Sequence, residues 1–160
     1  MYIGRVLIRC FLHVQPLANS TFWMDLGALY LRQLVKAEFD VCAVTLGAAC
    51  DIREAPIIQD YPKLFLSRAP GEYVSLVIGW GDDYKIRCCD AKKNICLTAC
   101  RPREPRTEEL EELQKFNWIL TPTQDEKDRF KRLGLGTGLL TPNVADLKWF
   151  FQQEIFPKCR

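Results

Sequence analysis

Short apolar runs alternate with longer amphipathic segments along this 160-residue chain. The apolar runs are rich in β-branched and aromatic residues and are bounded by polar or glycine-containing segments, which is typical of buried strands. The pattern therefore predicts six strands, at residues 5–13, 40–47, 72–80, 94–100, 118–121 and 138–141.

Between these runs, apolar residues recur at intervals of three or four, as they do on one face of an amphipathic helix. The longest such segment covers residues 19–39, where Asn19, Ser20 and Thr21 are possible N-caps. Three further helices are predicted at residues 106–116, 124–133 and 144–156.

The alternation of strands with helices predicts an α/β fold, a Rossmann-like three-layer sandwich in which a mostly parallel sheet carries helices on both faces. We expect a single Rossmann-like domain over residues 1–160, with its core at 1–146 and a carboxyl-terminal helix and tail at 147–160. Residues 48–72 contain three prolines and are predicted to be irregular, and residues 84–89 are predicted to form a turn or hairpin.

Charge and hydropathy exclude several classes of protein. The net charge is only +2, and basic residues are mixed with acidic ones, as in RPREPRTEELEE (101–112), so the basic footprint of a nucleic-acid-binding protein is missing.

The opening run carries Arg5 and Arg9 and no small-residue cleavage site, which favours a first strand over a signal peptide. No apolar window approaches the roughly 18 residues of a membrane span. We expect a soluble, cytoplasmic protein.

Eight cysteines are many for a cytoplasmic domain. None forms a Cys-x-x-Cys pair and only one histidine is present, so a zinc site would need scattered thiols. Asp82 and Asp83 follow Gly81 in a turn signal rather than in a cation-binding pattern. We therefore predict no metal. The thiols are either buried and unreactive or, if the source is a hyperthermophile, include at least one disulfide.

A resemblance to a known family adds to this reading. The stretch WILTPTQDEKDRFKRLGLGTGLLTPNVADLKWF (118–150) resembles the end of the N-terminal half of a GT-B glycosyltransferase of the retaining, nucleotide-sugar-dependent type. Residues 6–45 are similar to the first strand, loop, long helix and second strand of that family, although the loop lacks the usual paired glycine. Val144 and Ala145 stand where the family usually has Gly and Val. The positions that match are Thr123, Leu133, Gly134, Pro142, Asn143 and Asp146.

The resemblance implies a function for the loops that follow the strands, where parallel sheets bind ligands. His13 ends the first strand, where inverting relatives of the fold place a general base, and imidazole titrates near neutral pH; a structural histidine is the alternative. Arg101, with Arg103 and Arg106, can hold a phosphate in bidentate fashion or form a solvated loop. The residues expected to bind substrate are Asn19, Ser20, Thr21, Arg101, Thr123 and Asn143.

Two functions from different classes follow. In the first, the chain is the acceptor-binding half of a sugar transferase, a nucleotide sugar is the co-substrate rather than a bound cofactor, and a partner chain or a second copy completes the donor site. This expectation arises because the matched motif lies where the family passes into its second, donor-binding domain. In the second, the chain is a non-catalytic binding or assembly protein derived from the same fold.

Overall fold

The structure of the protein, a computed structural model, describes residues 7–13, 22–46, 73–87, 91–99 and 103–155. Its described residues form one sheet of six parallel strands in the order β2-β1-β3-β4-β5-β6. The predicted α/β fold with a parallel sheet is confirmed, and the predicted strands are each present. They are β1 (Leu7–His13), β2 (Asp40–Leu46), β3 (Tyr73–Ile78), β4 (Lys93–Leu97), β5 (Trp118–Thr121) and β6 (Thr137–Leu139).

Four α-helices connect or follow these strands, and each lies in a segment with helical spacing. A strand followed by a turn or hairpin is predicted at 72–89. In the structure, the strand β3 ends at Ile78 and a 3₁₀ helix follows it, with no second strand in the described residues up to 87. The irregular segment predicted at 48–72 lies outside the described residues. The helices are α1 (Phe22–Lys36), α2 (Thr107–Leu113), α3 (Gln124–Arg132) and α4 (Val144–Phe150), and the 3₁₀ helix is Gly81–Lys85.

Two apolar clusters cover the two faces of the sheet. On one face, α1 and α4 contribute Leu31, Leu34 and Leu147 to a cluster with the strand residues Leu76 and Leu97. The opposite face packs side chains of the 3₁₀ helix, α2 and α3 against β3, β4 and β5. The central strands β3 and β4 therefore bury side chains on both faces, as expected for near-continuous apolar runs in a parallel sheet. The second cluster contains Val77, Tyr84, Cys96, Leu113, Phe116, Ile119, Phe130 and Leu135.

Helix α4 continues through one π-helical turn, Phe151–Ile155, and its apolar stripe lies against the sheet. Phe151 is fully buried and its ring centroid is 5.1 Å from that of Phe39, while the rings of Phe150 and Trp118 meet edge to face at 6.4 Å. Trp149, which the helical pattern places off this stripe, is 59% exposed. This segment therefore packs back on its own sheet.

Helix α3 ends at a glycine with left-handed backbone geometry. Leu133 is the C-cap, and Gly134 follows with φ +81°, a conformation that costs glycine little. Gly134 therefore forms a helix end and the start of a tight connection to β6.

Gly138, in the edge strand β6, provides a test of packing between strands. A Cβ atom at this position would lie 2.9 Å from Cδ2 of Leu120, which is only 1% exposed. We expect Gly138→Ala to lower the free energy of unfolding by about 1–3 kcal/mol, because overpacking forces core side chains to shift. Urea denaturation measures the change. Gly136→Ala is the matched control, since its Cβ would meet no atom within 4 Å, and equal stability of the two variants would contradict the expectation.

Candidate functional site

The carboxyl ends of the strands lie along one edge of the sheet, because all the described strands are parallel. The strand order reverses between β1 and β3: the chain leaves β1 toward β2 on one side, and β3 pairs with β1 on the other. In open α/β sheets, ligands bind in the crevice at such a reversal. His13 is the last residue of β1, and Leu12 is in register with Ile78 of β3, so Gly79 and Trp80 continue the chain beside this crevice. We call this region the switch edge.

Next to the switch edge lies a cluster of four residues, Trp80, Arg103, Arg106 and Glu109, which we call the arginine cluster. Arg103 donates from Nη1 to Oε2 of Glu109 at 2.8 Å and from Nη2 to Oε1 at 2.6 Å, a bidentate pair. Its guanidinium also lies over the indole of Trp80, 4.3 Å from the ring centroid. The loop after β4 therefore contacts both Trp80, the second residue after β3, and α2.

Glu109 is the hub of the arginine cluster. Besides the bonds from Arg103, it accepts hydrogen bonds from Arg106 Nη2 at 3.0 Å, from Arg106 Nε at 3.3 Å and from the Arg106 backbone N–H at 2.8 Å. The last bond satisfies a backbone donor at the first turn of α2. The hydrogen bond from Arg103 lowers the pKa of Glu109 to about 2 and outweighs the opposing effect of burial. The carboxylate therefore stays charged, although its side chain is only 6% exposed.

Tyr84 and Thr98 form a buried pair of hydroxyl groups. Tyr84 Oη and Thr98 Oγ1 are 2.7 Å apart, and neither residue is exposed to solvent. The bond connects the 3₁₀ helix to the residue that follows β4, and it satisfies two polar groups that would otherwise be costly to bury. The 3₁₀ helix thus has a defined position beside α2.

A groove of about 370 Å³ lies between the 3₁₀ helix and α2, and we call it the α2 groove. Glu112, one of its lining residues, accepts hydrogen bonds from Lys115 Nζ at 2.8 Å and from Arg87 Nη1 at 2.6 Å, and these bonds lower the pKa of Glu112 to about 2. Charged side chains dominate the lining, which excludes an apolar ligand. The lining residues are Gly81, Lys85, Arg106, Glu108, Glu109 and Glu112.

Two of the predicted substrate-binding residues, Thr123 and Asn143, are helix N-caps. Thr123 Oγ1 accepts a hydrogen bond from the Glu126 N–H at 3.4 Å at the start of α3. Asn143 Oδ1 accepts from the Ala145 N–H at 2.8 Å at the start of α4. Both side chains are exposed at the carboxyl ends of β5 and β6, as predicted, but their oxygens complete the helices.

The junction between β6 and α4 is held by further side chains. Tyr30 donates from its hydroxyl to the Leu140 carbonyl, and Thr141 donates to Asp146. Burial, and then the charge of Asp146, raises the pKa of Tyr30, so its hydroxyl keeps the proton that it donates. The end of β6 and the start of α4 therefore form a local hydrogen-bonded structure at the end of the sheet.

The remaining predicted residues are distributed along the edge or lie outside the described part of the chain. Asn19, Ser20, Thr21 and Arg101 are outside it. His13 ends β1, three strand spacings from Thr123 at the end of β5, or about 14 Å at the usual separation of strands. A single sugar ring cannot contact both.

Arg103 and Arg106, considered as phosphate ligands, instead bind Glu109 within the protein. Within the described ranges, no group of three or more His, Cys, Asp or Glu side chains is arranged to hold a metal ion. Cys96 is buried and is not part of a disulfide. In the part of the chain that the structure describes, no helix combines the length and apolar character needed to cross a bilayer.

Sequence reasoning missed the roles of Trp80, Lys85 and Glu109. Glu109 stands three residues after the N-cap Arg106, the spacing of a capping box, and this signal could have identified it. Trp80 ends an apolar run and reads as part of a strand, and its contact with Arg103 joins residues 23 positions apart. No local pattern marks such a contact.

No protein-family model matches the chain, and a search of curated proteins finds no similar sequence.

Proposed function

We propose that this chain is the acceptor-binding half of a sugar transferase of the GT-B type. One observation carries the proposal: the strand order reverses between β1 and β3, and His13 ends β1 at that reversal. Ligands of parallel α/β sheets bind at this position. The resemblance of residues 118–150 to the end of a GT-B N-terminal half supports the same assignment.

In the proposed reaction, the acceptor hydroxyl attacks the anomeric carbon of a nucleotide sugar. A bond forms between that carbon and the acceptor oxygen, the bond to the diphosphate breaks, and the diphosphate leaves with the electron pair. His13 is the candidate base that takes the proton of the hydroxyl. The donor is held by a separate partner chain, which also stabilises the negative charge of the leaving diphosphate.

A non-catalytic binding or assembly protein is the second candidate, and a specific observation favours it. Oxygens of Thr123 and Asn143 cap helices, and Arg103 and Arg106 bind Glu109. Four groups suited to a substrate are thus engaged inside the protein. Under this alternative the sheet persists as a scaffold and the switch edge binds no sugar.

Titration of the purified 160-residue chain distinguishes the two functions. With this chain as the only protein, we expect no measurable sugar transfer and no binding of uridine or guanosine diphosphate sugars tighter than about 1 mM, equivalent to about 4 kcal/mol. The reason is that a half-site holds a diphosphate only through solvent-exposed contacts, which are weak. A saccharide acceptor should nevertheless shift the backbone amide resonances of His13 and Gly79.

Two outcomes would count against the proposal. If neither saccharides nor nucleotide sugars shift the amides at the switch edge, the assembly alternative stands. If turnover occurs with this chain alone, a complete enzyme replaces the half-enzyme. His13→Ala is then the first variant to measure, because a lower kcat with unchanged KM would identify His13 as the base.

A further inference from the structure

The α2 groove adjoins the switch edge, because Gly81 in its lining directly follows Trp80, but the groove has a distinct chemistry. Three carboxylates and two cationic groups line it, together with Gly81. Gly81 has φ +67° and a Cβ there would lie 3.6 Å from Oε1 of Glu109, so the backbone of the 3₁₀ helix comes close to the hub of the arginine cluster. The volume of about 370 Å³ is within the range of small-molecule sites.

Two of the carboxylates that line the groove are held in place by cations of the protein. Glu109 is saturated by Arg103 and Arg106, and Glu112 is held by Arg87 and Lys115. Both carboxylates are therefore compensated by cations, and the groove does not carry the strong single-sign charge that selects an ion. A charged ligand of either sign would face like charges in the lining.

Hydrogen-bond donors and acceptors lie together in this groove. Arg106 is 60% exposed and uses Nε and Nη2 on Glu109, which leaves its Nη1 outside those bonds, and Lys85 supplies an exposed ammonium. Glu108 is exposed and, among the described residues, its carboxylate has no hydrogen-bond or ion-pair partner. A ligand that matches this lining must donate to a carboxylate and accept from a guanidinium or ammonium.

We propose that the α2 groove binds a neutral polyhydroxylated ligand, a saccharide, with Glu108 accepting from its hydroxyls and Lys85 and Arg106 donating to them. Each sugar hydroxyl is both a donor and an acceptor, which is what the lining requires. The assignment of this saccharide as the acceptor rests on the proposed function. The proposal that a saccharide binds in the α2 groove is independent of that function. Glu109 is a positioning residue, because it orients Arg106 and is itself saturated.

Nuclear magnetic resonance titration of the full chain with neutral methyl glycosides and a neutral disaccharide tests the proposal. We expect the amide resonances of Gly81, Lys85, Glu108 and Glu112 to shift. Glu108→Ala should weaken saccharide binding about tenfold, the effect of losing one hydrogen bond to a charged group. Glu111→Ala is the matched control, since it makes the same change at an exposed position of α2 outside the groove, and it should leave the affinity unchanged.

Each result has a defined meaning. Absence of shifts at the groove with any neutral saccharide overturns the proposal, as does equal loss of affinity in Glu108→Ala and Glu111→Ala. Shifts with inorganic phosphate but not with neutral sugars would show an anion site and would also overturn it. Shifts at the groove without any at His13 or Gly79 would leave the saccharide site standing and remove the transferase. Shifts only at His13 and Gly79 would overturn the saccharide site in the α2 groove and leave the proposed transferase standing.

Discussion

Replacing Phe151 with alanine is expected to lower the free energy of unfolding by about 3–5 kcal/mol, the usual cost of removing a large buried ring and leaving a cavity. Phe151 is fully buried, and its ring contacts those of Phe39 and Phe150 at 5.1 and 5.4 Å between centroids. The side chain thus joins the π-helical turn after α4 to the segment between α1 and β2. Urea denaturation followed by circular dichroism measures the loss.

Trp149→Ala is the matched control for this prediction. It removes a larger ring only two positions away, but Trp149 is 59% exposed, so we expect a change below about 0.5 kcal/mol. Equal destabilisation by the two variants would show that Trp149 is covered in solution. A Phe151→Ala variant as stable as the parent would show that the segment after α4 does not pack on the sheet.

Replacing Glu109 with glutamine is expected to lower the free energy of unfolding by about 1–3 kcal/mol at neutral pH, because hydrogen bonds to a charged group are replaced by weaker ones. Arg103 and Arg106 have side chains that are 38% and 60% exposed, so water solvates them after the change. The loss therefore stays below the roughly 3–5 kcal/mol of a fully buried ion pair. Glu111→Gln, an exposed change on the same helix, is the control and should be neutral.

The same carboxylate predicts a dependence of stability on pH. The pKa of Glu109 falls from 4.5 to about 2 in the folded protein, so its contribution is complete above the unfolded pKa and is lost as the pH falls from about 4.5 toward about 2. Glu112, whose pKa is lowered in the same direction, adds to this loss. Denaturation across this window should show a shallower decline for Glu109→Gln than for the parent. Identical declines would contradict the assigned role of Glu109.

The candidate site was only partly predictable, and Thr123 and Asn143 show why. Both follow a strand and precede a helix, and the sequence correctly predicts their place at the carboxyl edge of the sheet. An N-cap and a ligand-binding residue need the same thing at that place, an exposed side-chain oxygen. The residue type therefore cannot distinguish the two roles, whereas the hydrogen bonds to the first turns of α3 and α4 assign both oxygens to capping.

Arg103, Arg106 and Glu109 show a different reason. The sequence presents them as a mixed-charge segment that is equally compatible with a phosphate site and a solvated loop. The carboxylate of Glu109 accepts hydrogen bonds from both guanidinium groups because α2 places it beside the loop that follows β4. Trp80, which lies between β3 and the 3₁₀ helix, completes the cluster.

The sequence by itself determined which segments form strands, which form helices and which face of each helix is apolar. These properties depend on the periodicity of residues that are near neighbours along the chain, and for this reason Phe150 and Phe151 are buried while Trp149 is exposed. Only the tertiary structure decided the order of the strands, the contact of Arg103 with Trp80 and the existence of the α2 groove. Each of these brings together residues from separate elements, and a contact between distant segments depends on how whole elements pack, which no local pattern of residues encodes.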